Sequence, residues 1–77
     1  MVKTRSMAEI DRRGVRGSME AFLDGKKDLN WIKGVIGKSR VLQRKGELQE
    51  IFDELRLYQN LPRYQEILEE CKGEGWL

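Results

Sequence analysis

Histidine is absent from this chain, and cysteine and proline occur once each. Each scarcity removes a class of chemistry. Without histidine there is no side chain whose ordinary pKa lies near neutrality, so the most common general base and the most common metal ligand are both missing. Cys71 has no second thiol for a disulfide, and one thiol without histidine does not make a zinc site. A lone thiol suits a reducing compartment, which gives a cytoplasmic or nuclear reading. No apolar run nears the roughly 18 residues that a membrane span needs. Residues 1–6 also lack the apolar stretch of a secretion signal, so the chain reads as neither secreted nor membrane-spanning. A non-enzymatic protein without metal or cofactor is the expectation.

Charge is what the chain has in quantity, at 36% of its 77 residues, and it is divided lengthwise. Residues 1–45 hold twelve Lys or Arg against five Asp or Glu, net +7, whereas residues 46–77 hold three against eight, net −5. The total of +2 conceals this division. Two opposed fields can steer a polyanion, pair across the fold, or join copies head to tail, so a homo-oligomer through opposite-charge halves is one expectation.

Glycine punctuates segments whose apolar spacing is helical, which predicts an all-α single domain of three to four short helices. Residues 1–17 read as a basic, partly disordered arm. Ser6 and Glu9 there form a capping box, but Arg12, Arg13, Gly14, Arg16 and Gly17 supply little apolar surface. The helical domain is expected over 18–73 and a short tail over 74–77. Met19, Phe22 and Leu23 make the first buried stripe, ended at Gly25. A helix capped by Asp28 is expected to run to about Lys45, with Trp31 facing the core and Gly34 and Gly37 marking a kink or close packing. Gly46 breaks the phase, and Leu48, Ile51, Phe52 and Leu55 then define a helix to about Gln59. Pro62 opens the last helix, which buries Tyr64, Ile67, Leu68 and Cys71 and stops at Gly73.

Fragments of known motifs are present but incomplete. Gly37-Lys38-Ser39 matches the end of a phosphate-binding loop, yet the first glycine of that pattern falls on Ile32. Val35 to Val41 resembles the glycine loop of KH-type RNA-binding domains, with Arg40 in place of the second glycine and no strands following. A helix-turn-helix fits poorly, because Gly37 is followed by Lys38 where an apolar residue belongs.

Surface chemistry then carries the functional reading. Trp76 and Leu77 close a glycine-flanked tail that either plugs the core or enters a groove on another protein. A protein-binding module, acting by docking as an adaptor, accessory subunit or inhibitor, is the leading expectation, with another protein as its partner. The alternative is DNA or RNA binding through the phosphate backbone. Its footprint would be Lys33, Arg40 and Arg44 on one helix face, extended by Arg12, Arg13, Arg16, Lys26 and Lys27.

Overall fold

Four helices bury the apolar stripes that the spacing marks out, and the computed structural model describes them over residues 7–77. They are α1 (Met7–Leu23), α2 (Leu29–Lys38), α3 (Glu47–Glu54) and α4 (Pro62–Gly73). Single 3-10 turns follow α2 at Arg40–Gln43 and α3 at Arg56–Tyr58. No strand occurs among the described residues, and the all-α fold stands as expected.

One core joins all four helices. Met19 and Phe22 of α1, Ile32 and Ile36 of α2, Ile51 and Phe52 of α3, and Ile67 and Cys71 of α4 are fully buried. Each large apolar side chain removed from water in this way stabilises the fold by about 1.5–3 kcal/mol. Tyr64 adds a polar tie: its ring meets Phe52 edge-on at 5.7 Å, and its hydroxyl donates to the Phe52 carbonyl at 3.0 Å. The buried side chains described leave no polar atom without a partner.

The expected boundary between arm and domain is absent. Residues 7–17 belong to α1, which runs unbroken through Gly14 and Gly17 to Leu23. Composition understated this segment because its order comes from outside it. Val15 is buried, and Arg12 and Arg16 reach carboxylates on α3. The Ser6 half of the capping box lies outside the described residues.

The expected helix to Lys45 divides in two. Ser39 adopts an extended backbone, and its hydroxyl accepts from the Val41 amide at 3.2 Å. Asp11 of α1 accepts from the Arg40 amide at 3.1 Å. Two side-chain acceptors thus take amides that a continuing helix would have used, and the 3-10 turn begins there. The helix after Gly46 also stops early, at Glu54, and the remainder to Tyr58 tightens into the second 3-10 turn.

Two helices end in the same cap. After α1, Gly25 takes φ +83, with bonds from Gly25 N to Phe22 O and from Lys26 N to Ala21 O. After α4 the left-handed residue is Gly75, not Gly73, with φ +79 and bonds from Gly75 N to Lys72 O and from Trp76 N to Cys71 O. This pair of bonds is the Schellman arrangement, which uses a residue without Cβ to turn the chain back over its own helix.

Candidate docking groove

The alternative functions depend on which of the basic residues face solvent. Four of the eight predicted cations are engaged inside the molecule. Arg12 pairs with Glu54 and reaches Glu50 at 3.5 Å and Glu47 at 3.7 Å. Arg16 joins Glu54 at 2.6 Å and Glu20 at 3.4 Å. Arg44 pairs with Glu47 and with Asp11 at 3.1 Å. Lys33 lies 3.4 Å from Glu70 on α4 and 3.7 Å from Glu74 just beyond it. The carboxylates around Arg12 and Arg44 hold both guanidiniums above their ordinary pKa, chiefly through the hydrogen bonds that Arg12 donates to Glu54 and Arg44 donates to Glu47.

The other four remain at the surface. Arg13, Lys26 and Arg40 form no ion pair with another described residue, and Lys27 places its ammonium 5.2 Å over the Trp31 ring. Trp31 is therefore on the outside, where the sequence spacing placed it in the core. The single-face stripe of Lys33, Arg40 and Arg44 does not form, because the break at Ser39 turns the chain between the first and the other two.

A concavity opens where the first 3-10 turn, the start of α3 and the tail meet. Its volume is about 440 Å³, and its apolar lining is Val41, Leu42, Leu48, Trp76 and Leu77. Arg44 and Lys45 stand on its polar side with Gln43 and Gln49. Local structure builds each part. The Ser39 cap and Asp11 set the turn that inserts Val41 into the core, while Gly46, at φ +83, redirects the chain so that Leu48 closes the floor.

The tail forms the opposite wall. The cap at Gly75 brings Trp76 back over α2, where a Cβ built on Gly37 would stand 3.5 Å from the indole. Gly37 is thus a packing position for an aromatic ring. Trp76 is half-buried against the core, and Leu77 stays 38% exposed at the rim. Both tail residues predicted as partner anchors therefore come together in one site, with Trp76 as wall and Leu77 as lip.

Chemistry inside the molecule is quiet. Cys71 is fully buried and its thiol is pushed up to about 12, first by burial and then by Glu70 and Glu74, against a smaller opposing effect of Lys33. Burial, with Asp53 nearby, also raises the Tyr64 phenol. Among the described residues no group of three or more Cys, Asp or Glu could hold a metal ion. No helix among them is long and apolar enough to cross a membrane.

Sequence reasoning missed two sets of residues. Arg63 donates to the carbonyls of Phe22 at 3.0 Å and Lys27 at 2.8 Å and lies 4.7 Å over the Phe22 ring, fastening the loop between α1 and α2. No periodic signal marks such a bond. Leu42 and Leu48 fall on expected helices and Val41 at the end of the glycine-loop fragment, and the sequence groups none of them into a groove. The available hint was the acid-free run from Leu29 to Gly46, which differs in composition from everything around it. Comparison of the chain with protein-family models, curated proteins and solved structures gives no match.

Proposed function

We propose that this chain is a small non-enzymatic docking module that binds another protein through the groove between the first 3-10 turn and the tail. One observation carries the reading: Val41, Leu42, Leu48, Trp76 and Leu77 line a single concavity of about 440 Å³. Ligand-receiving clefts commonly combine such an apolar lining with a few polar groups at the edge. The internal use of Arg12, Arg16, Lys33 and Arg44 favours this reading over a polyanion surface, since paired cations release few counterions. Head-to-tail assembly through opposite halves has less support for the same reason, as the halves already meet within one copy.

The test is cross-linking mass spectrometry in cell extract, comparing the wild-type chain with a Leu42→Glu, Leu77→Glu double variant of matched helicity. Partner peptides joined to Lys45 in the wild type and lost in the variant are the expected result. An unchanged set of cross-links would overturn the assignment.

A nucleic-acid reading retains Arg13, Lys26, Lys27 and Arg40, which are exposed. Anisotropy of labelled duplex DNA and single-stranded RNA at about 50 and 200 mM salt distinguishes it. Strongly salt-dependent binding that survives the double variant would replace docking with polyanion binding.

A further inference from the structure

We infer that the groove receives an apolar anchor carried by an acidic peptide segment: a Leu, Phe or Trp side chain with Asp or Glu within about one helical turn of it. This rests on the docking reading and adds the chemistry of the partner.

Between Leu29 and Gly46 the chain has five cations, Lys33, Lys38, Arg40, Arg44 and Lys45, and no acid. The fold neutralises only two of them. Lys33 is held by Glu70 and Glu74, and Arg44 by Asp11 and Glu47. Lys38, Arg40 and Lys45 are exposed and make no ion pair among the described residues. Lys45 stands on the groove itself, and Arg40 opens the turn that supplies Val41 and Leu42. The nearest acid along the chain, Glu47, is turned inward to Arg44 and Arg12, with its side chain only 13% exposed.

A partner entering here meets an apolar hollow beside uncompensated positive charge. An acidic segment is attracted and oriented, whereas a basic one is repelled. A polynucleotide satisfies the charge but not the lining. Val41, Leu42 and Leu48 are aliphatic, and the one aromatic ring packs on Gly37, so bases find no open platform on which to stack.

The experiment selects a random dodecapeptide display library on the full chain and sequences the peptides that are not retained by Leu42→Glu. The consensus peptide, labelled with fluorescein, is then titrated by anisotropy at about 50 and 200 mM salt. Wild type, Leu42→Glu and Lys45→Glu are compared, with labelled oligodeoxythymidylate alongside. Lys45 is exposed and takes no part in an ion pair among the described residues, so its reversal leaves the fold intact.

The expected consensus has one or two large apolar residues flanked by Asp or Glu. Affinity should fall about tenfold in Lys45→Glu and more steeply in Leu42→Glu, and should weaken at the higher salt. A groove-dependent consensus with neutral or basic flanks, or one indifferent to Lys45→Glu, overturns the acidic assignment and leaves the docking module standing. Absence of any groove-dependent peptide overturns both, and oligonucleotide binding under those conditions identifies the surface as a phosphate site.

Discussion

Two seams hold the basic half of this protein against its acidic half, and they do so by different means. Along α1 and α3 the contact at the surface is a lattice of alternating charge, running from Asp11 and Arg44 through Glu47, Arg12 and Glu54 to Arg16 and Glu20. Between α2 and the tail it is mainly apolar, an indole resting on the bare face of Gly37, with Lys33 reaching Glu74 at 3.7 Å as a charged addition. The first seam is directional and open to water, so it sets the register of α1 while contributing modestly to stability. The second rests mainly on non-directional apolar contact, so it contributes more per residue.

Breaking the apolar seam is the larger perturbation. Trp76→Ala should cost about 2 kcal/mol, less than a fully buried aromatic because the ring is only half-covered. Thermal melts should shift down by roughly 8–16 °C, and a shift under a few degrees would show that the tail does not stabilise the domain.

Alkaline pH tests the burial of Cys71 in the core. The Cys71 thiol is raised to about 12 in the fold, whereas an unfolded thiol ionises from a reference value of 9.0. Between those values the unfolded chain loses a proton that the native chain keeps. Stability therefore falls as pH rises above about 9, by up to about 1.4 kcal/mol per pH unit, and is unaffected by this group below it. Urea midpoints at pH 8 and 10 measure this, and Cys71→Ala should flatten the slope.

Arg12→Ala should weaken the charged seam by only about 1 kcal/mol, since its partners are partly exposed. The difference from wild type should shrink as salt screens the pairs, and a loss indifferent to salt would mean that Arg12 acts by packing. Smallest is a gain. Gly17→Ala meets nothing within 4 Å in the middle of α1 and should stabilise the protein by about 0.5–1 kcal/mol, read from the same melts.

The features legible in sequence were those written into one helix. The stripes Met19, Phe22 and Ile51, Phe52 gave the core directly, Asp28 caps α2 through the Trp31 amide at 2.8 Å, and Pro62 opens α4. Features made between elements were not legible. Asp11 ends α2 from 29 residues away, and Arg12 orders the start of α1 by meeting α3. The charge division predicted that the halves could pair, but no local pattern could state which cations the pairing would consume. Trp76 and Leu77 were marked as a site by their isolation, whereas the turn that faces them was hidden in what looked like the end of a helix.

The cap at Gly75 gives the groove a further property. Its wall is held by a backbone turn that belongs to α4 and by an indole that touches α2 but is not sequestered there. Any other residue at position 75 would have to adopt φ near +79, at a cost of roughly 1–2 kcal/mol. That strain would lie past the end of α4, so a substitution there acts on the wall before it acts on the four helices. The shape of the concavity accordingly depends on a position outside its own lining.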